Sequence, residues 1–340
     1  MNIAPDLHTR SGDRAWLKIL ARYRKPDRRR SAFELAVTAI PFAGLWALSW
    51  AAVHYGQWWG LIFIIPAAGF LLRLFMIQHD CGHGSFFAHR SSDDWTGRAI
   101  GVLTLTPYDY WRRAHAEHHA SAGNLDERSV GDITTLTVSE YRALSPKGRL
   151  AYRLYRNPIV MFGIGPIWLF LFKQRLPFGM MRAGMLPWVS TMATNFAIAA
   201  LSAGLIWLIG VVPFLIVHLP IVVLAGAAGI WLFYVQHQFE DTHWSEGQHW
   251  QFQHAALHGS SHYDLPRVLR WLTGNIGIHH VHHLSSKVPC YRLPEVLRDF
   301  PELRSVGRIT IMESLRCVKL VLWDENRKKL ISFREAQAIA

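Results

Sequence analysis

Residues 32–53, 58–77, 187–209 and 213–235 form four apolar runs, arranged as two pairs, each joined by a short turn without Lys, Arg, Asp or Glu. An α-helix rises about 1.5 Å per residue, so twenty residues reach about 30 Å, the thickness of a bilayer's hydrocarbon core. Four membrane-spanning helices in two hairpins are therefore expected. The composition agrees: 51% of residues are hydrophobic and 13% aromatic, with 15 Trp, which argues against two soluble domains. Trp58 and Trp59 suit a membrane interface. Arg73, the one basic residue inside a run, lies near its end, where snorkelling to the interface is expected in preference to a buried ion pair.

The formal charge of +12 could point to nucleic acid, but no nucleic-acid module is recognisable. Of the 36 Lys and Arg, all but Arg73 lie in residues 1–31, 78–186 or 236–340. By the positive-inside rule both large polar blocks and both termini are expected in the cytoplasm. In a bacterial cell that means the inner (plasma) membrane. The first thirty residues lack the apolar core of a cleavable signal. With nine Lys or Arg, residues 1–31 read as a basic tail beside anionic lipid, an anchor rather than a module.

The expected organisation is one domain over residues 1–340. A first hairpin (32–77) is followed by a cytoplasmic and interfacial block (78–186), a second hairpin (187–235) and a final cytoplasmic block (236–340). Residues 158–172 are apolar but reach only about 22 Å as a helix, and Gly163, Gly165 and Pro166 interrupt them, so an interfacial or re-entrant helix is expected. The final block is expected to be mostly helical, with residues 315–323 resting on the other polar block or on lipid. Cys81, Cys290 and Cys317 are few, widely spaced and odd in number, so they are read as reduced thiols. Nothing in the sequence fixes an oligomeric state.

The chemistry concentrates in histidine. Ile278-His279-His280-Val281-His282-His283 holds four imidazoles. At 100° per residue, with His279 at zero, His282 falls at about −60° and His283 at about +40°, so these three share a face while His280 points off it. His115, His118 and His119 repeat this spacing, and His79 and His83 stand at i, i+4 where the second span ends. Converging imidazoles suit a metal better than a proton shuttle, which needs one titrating group. Eight imidazoles are twice what a four-coordinate site takes, so two metals are expected. His237 follows the fourth span as His79 follows the second, and it is a candidate ninth ligand. Asp80, Glu117, Glu240 and Asp241 adjoin these positions as candidate acceptors for the second ring nitrogen. His243, His249, His254, His258 and His262 lack the spacing and read as loop or surface residues. His54 and His218 lie toward the other leaflet, and Cys81 reads as a buried thiol.

Imidazole suits iron, copper and zinc alike. A cluster at the mouth of a membrane bundle can receive a lipid tail, whose methylenes offer nothing to acid–base chemistry or a zinc hydroxide. A redox metal pair that activates dioxygen would have something to act on.

His79-Asp80-Cys81-Gly82-His83-Gly84-Ser85-Phe86-Phe87, His115-Ala116-Glu117-His118-His119 with Gly123-Asn124-Leu125-Asp126, and Asn275-Ile276-Gly277-Ile278-His279-His280-Val281-His282-His283 resemble the three histidine boxes of the integral-membrane fatty acid desaturases. The second and third boxes look most like the omega-6 (delta-12) acyl-lipid branch. The resemblance implies an all-α, four-span fold with interfacial helices and a helical cytoplasmic cap around a non-haem di-iron site. It also implies use of dioxygen and two electrons to place a cis double bond in a membrane lipid acyl chain. His79, His83, His115, His118, His119, His279, His282 and His283 carry over as iron ligands, and His237 joins them from outside the boxes. No His-Pro-Gly-Gly haem motif is present, so a separate ferredoxin or cytochrome b5 type donor is expected. The alternatives are a di-iron hydroxylase or ketolase acting on an alkane, sterol or carotenoid, and, in another class, a histidine-rich metal transporter.

Overall fold

The computed structural model describes residues 10–129 and 131–339; residues 1–9 of the basic tail lie outside them. Among the described residues, four helices are long and apolar enough to cross a membrane: Arg28–His54, Trp58–His83, Met185–Ile209 and Val211–His237. The first begins where the Asp27 side chain accepts from Arg30 N at 2.8 Å, a cap for otherwise orphaned donors. The second opens with a 3-10 stretch and ends at Gly84, whose φ of +64° halts it one residue past His83. The second hairpin turns on Gly210 alone, at φ +84°. Its first arm is the least enclosed of the four, with 6% of its most apolar window buried, against 56% for the helix that ends in His79 and His83. The better-packed helix carries the histidines.

Arg73 corrects the sequence reading. Its guanidinium is buried, paired with the buried Glu34 carboxylate of the first span, and its Nε donates to Thr38 Oγ1 at 3.1 Å. It also donates to the Trp271 carbonyl and lies 3.9 Å from the centroid of that ring. The ion pair ties both arms of the first hairpin to the cap, where a snorkelling side chain would have tied nothing.

Of residues 158–172, all from Val160 onward belong to a helical stretch, Val160–Arg175, that bends 61° from the helix Pro146–Tyr155. The pair is a bent segment lying against the fourth span, where a Cβ on Gly226 would come 2.7 Å from the Phe170 ring. The cap is mostly helical but also contains strands of two or three residues, too short for an alternating pattern to reveal. Leu136–Thr137 pairs in parallel with Leu322–Asp324, which pairs antiparallel with Lys329–Ile331. This sheet joins the two polar blocks. It buries Leu322 and Trp323, so the end of residues 315–323 rests on the partner block.

The N-terminal segment also does more than carry charge. In the helix Arg10–Leu20 and the turn after it, Trp16, Leu20 and Tyr23 are buried in one core with Ile278, Val281 and Leu284. Trp16 meets Phe300 edge to face at 5.0 Å. The segment read as an anchor thus forms one wall behind the third histidine box.

Candidate metal centre

The second span helix delivers His79 and His83, the helix Tyr108–Ser121 delivers His115, His118 and His119, and the fourth span delivers His237. The third box forms a six-residue helix, His279–Leu284, all of it buried. Gly277 lets this helix start close to its neighbour, because a Cβ there would stand 2.4 Å from the Tyr263 carbonyl oxygen.

These nine histidines gather into two groups. In the first, His79, His83, His115, His119 and His282 bring ligand atoms within 4.8 Å of one another, and in the second His118, His237, His279 and His283 do the same. In the first group the Nε2 atoms of His83 and His115, of His115 and His119, and of His119 and His282 are each 3.1 Å apart. In the second, His237 Nε2 lies 3.1 Å from that of His118 and 3.0 Å from that of His279.

The one-face reading of the spacing needs refinement. Each HxxHH box divides between the groups: the i, i+4 pair His115 and His119 enters the first while His118 enters the second, and His279 and His283 enter the second while His282 enters the first. The i+3 member lies about 60° to one side of the first histidine and the i+4 member about 40° to the other, so one helical face serves two centres. His280 faces away, with its Nε2 at 2.9 Å from the Leu303 carbonyl oxygen.

The donor set fits metal. Burial holds the imidazoles of His115, His119, His279, His282 and His283 well below their ordinary pKa, so they stay neutral with a lone pair free. His283 Nε2 is buried without a hydrogen-bond partner, a condition that costs about 1–3 kcal/mol unless a ligand satisfies the atom. Nitrogens about 2.1 Å from a shared ion and at right angles lie about 3.0 Å apart, close to the separations found here.

Of the candidate acceptors, Asp80 takes the role. Its Oδ1 is 3.3 Å from His79 Nδ1, and its Oδ2 accepts from Cys290 N at 2.6 Å. Glu117 is exposed and pairs with Arg113 at 3.6 Å, and Glu240 and Asp241 are exposed. The sequence reading missed Asp132, in a polar loop with no periodic signal to mark it. Its carboxylate accepts from His118 Nδ1 and from Ser129 N at 2.8 Å, which leaves His118 Nε2 to face the second group. Burial pushes the Asp132 carboxyl up, but the His118 imidazole and the Ser129 amide outweigh it, and its pKa sits below the ordinary value.

The remaining histidines and cysteines stand outside the groups. His262 is buried rather than superficial, with Nδ1 2.8 Å from the Arg304 carbonyl oxygen. His243, His254 and His258 adjoin one another through their rings, and His218 stacks on Phe214. Cys81, Cys290 and Cys317 are free, buried thiols.

An apolar cavity of about 530 Å³ runs among the second span, the fourth span and the bent segment, and His79, His115 and His279 reach its wall. Cavities of this size take small ligands, and this one opens both histidine groups to an apolar guest.

A bundle of apolar span-length helices, capped by two histidine groups that share an apolar cavity, defines a membrane protein of the histidine-rich metal-binding class. Residues 56–310 match the family model described as fatty acid desaturase, and the chain belongs to that family. It is 45% identical over 322 residues to a fatty acid desaturase of Bacillus subtilis, covering 95% of this chain and 91% of that one. Two proteins of Synechocystis are more distant. An sn-1 oleoyl-lipid 12-desaturase is 26% identical, with 74% of this chain and 71% of the relative covered. An sn-1 acyl-lipid omega-3 desaturase (ferredoxin) is 28% identical, with 74% and 69% covered.

Proposed function

We propose that this desaturase is oxygen-dependent and introduces a cis double bond into a membrane lipid acyl chain, converting oleoyl to linoleoyl groups in the omega-6 (delta-12) manner. The observation that carries this reading is the junction of the two histidine groups with one apolar cavity. His79, His83, His115, His119 and His282 would hold one iron, and His118, His237, His279 and His283 the other. When bound, the irons would supply the activation of dioxygen, and in the overall balance dioxygen, two electrons, two protons and two hydrogens from adjacent methylenes would give the double bond and two waters. The chain's own part is to gather nine imidazoles, fix ring directions through Asp80 and Asp132, and hold the acyl chain away from bulk water. The name of the Synechocystis 12-desaturase supports the regiochemistry. That of the omega-3 relative supports a ferredoxin donor, for which a cytochrome b5 type protein is the substitute.

The distribution of Lys and Arg supports a metal centre and both termini in the cytoplasm. Single cysteines at Arg128, Arg182 and Lys287 should all react from that side, and labelling of Lys287→Cys from outside would overturn the topology. For the reaction, the chain is expressed in a host that makes oleoyl but not linoleoyl lipids, with reduced ferredoxin supplied. Dienoic chains should form only with oxygen, and His79→Ala should form none at equal expression. Hydroxylated or keto products would transfer the protein to the hydroxylase or ketolase reading.

A further inference from the structure

The cavity wall is apolar apart from the histidines and a few polar side chains, and nearly all of these are engaged elsewhere. Thr104 donates to Gln78 Oε1 at 2.7 Å, and Tyr110 to the Phe178 carbonyl at 2.8 Å. Tyr155 accepts from Thr134 N at 3.1 Å, Gln236 donates to the Ile276 carbonyl at 3.0 Å, and Asp132 holds His118. Among the described residues, Lys173 and Gln174 are the cavity's ammonium and amide without a hydrogen bond or ion pair. Gln174 is only 7% exposed, and its Oε1 is buried without a partner. An unsatisfied buried amide facing an apolar space is a cost that a polar ligand group removes.

The backbone next to both residues is tied to the helix Met185–Ile209. The neighbouring Arg175 donates to Asn195 Oδ1 at 2.8 Å, Asn195 Nδ2 donates back to the Arg175 carbonyl at 2.8 Å, and a further guanidinium N–H reaches the Leu105 carbonyl. Ile164, Trp168 and Phe172, on the same bent segment, are exposed apolar side chains that suit a lipid boundary. An ammonium and an amide at that boundary, at the edge of an apolar cavity, match the head end of a membrane lipid.

We infer that Lys173 and Gln174 form the subsite for the ester end of a phospholipid, the Gln174 amide N–H donating to the acyl ester carbonyl and the Lys173 ammonium pairing with the phosphate. The inference rests on the reading of the cavity as the acyl site. A half-turn about the terminal torsion of Gln174 exchanges Oε1 with Nε2, so that an N–H takes the buried position where the acceptor is orphaned and can donate to the ester carbonyl. Fixing the ester at one place fixes how far along the chain the histidine groups lie, so these two residues set the position of the new double bond.

The test separates binding from turnover. Purified full-length protein is titrated with the fluorescent probes parinaroyl phosphatidylcholine and parinaroyl-CoA, and dienes formed in dioleoyl phosphatidylcholine vesicles with reduced ferredoxin are located by mass spectrometry. Lys173→Ala should bind the phospholipid probe about tenfold more weakly, with Lys173→Arg restoring most of it. Gln174→Met should give more than one positional isomer, and iron content should match wild type in all three. Wild-type affinity in Lys173→Ala together with a single isomer in Gln174→Met would overturn the subsite. Binding of parinaroyl-CoA in preference to the phospholipid would overturn the phospholipid assignment. If wild type hydroxylates the chain while the variants bind the phospholipid weakly, the subsite stands and the desaturation reading falls.

Discussion

His119 and His283 stack with ring centroids 4.1 Å apart and planes 16° from parallel, although they belong to different histidine groups. The two groups therefore share a wall, and a change in one ring reaches both. His119→Ala should lower iron from about two per chain to below one, more than the loss of a single ligand to a single ion would produce. Iron analysis of purified protein reads this directly, and a value near one would mean that the groups load independently.

His280 and His282 are two residues apart and differ in duty. His282 faces the first group, whereas His280 bonds to the Leu303 carbonyl oxygen in the interior. His282→Ala should lower iron and activity together. His280→Ala should keep the iron and lower unfolding stability by about 1–3 kcal/mol, because a buried carbonyl loses its partner. Equal iron loss in both variants would defeat the assignment of His280.

Asp132 holds His118 in the orientation that presents Nε2 to the second group. Asp132→Asn should weaken metal affinity about 10- to 100-fold, whereas Glu117→Gln should leave it unchanged. Competition with a chelator of known affinity measures the difference.

Metal-free protein should be acid-labile in a definite window. Burial lowers the folded-state pKa of His115, His119, His279, His282 and His283 well below 6.5, while the unfolded chain keeps the ordinary value. Below about pH 6.5 the unfolded state binds protons that the native state refuses, so stability falls on acidification by about 1.4 kcal/mol per pH unit for each such group. Above that pH the effect vanishes. Denaturation of chelator-treated protein between pH 5 and pH 8 should show the slope, and bound metal should reduce it by competing for the same lone pairs.

Arg73 and Glu34 form a buried pair within the first hairpin. Arg73→Met alone should destabilise by about 1–3 kcal/mol, because the Glu34 carboxylate then keeps only its 2.6 Å pair with Arg30, and adding Glu34→Gln should recover much of it. Thermal unfolding in detergent tests both. No additional loss on removing Arg73 from a Glu34→Gln background would be the signature of coupling.

The spans and the histidine boxes are legible in the sequence because both depend on local rules. Helix rise and bilayer thickness fix how long residues 187–209 and 213–235 must be, and 100° per residue fixes which face His279, His282 and His283 share. Those rules also set His280 apart. They stop where a side chain's fate depends on what the rest of the chain brings to it. That His118 and His282 serve different groups from their neighbours follows from the angle at which two helices and two span ends meet. Asp132 matters because the loop after the second box folds back on His118, and Arg73 is an ion-pair partner rather than a snorkelling cation because Glu34 of the adjacent span faces it. Lys173 and Gln174 are ordinary residues in sequence, and only the tertiary structure leaves them without partners at the wall of an apolar cavity. Periodicity and hydrophobic length are properties of a segment alone, whereas partnering and burial are properties of long-range contacts, and these only the folded chain decides.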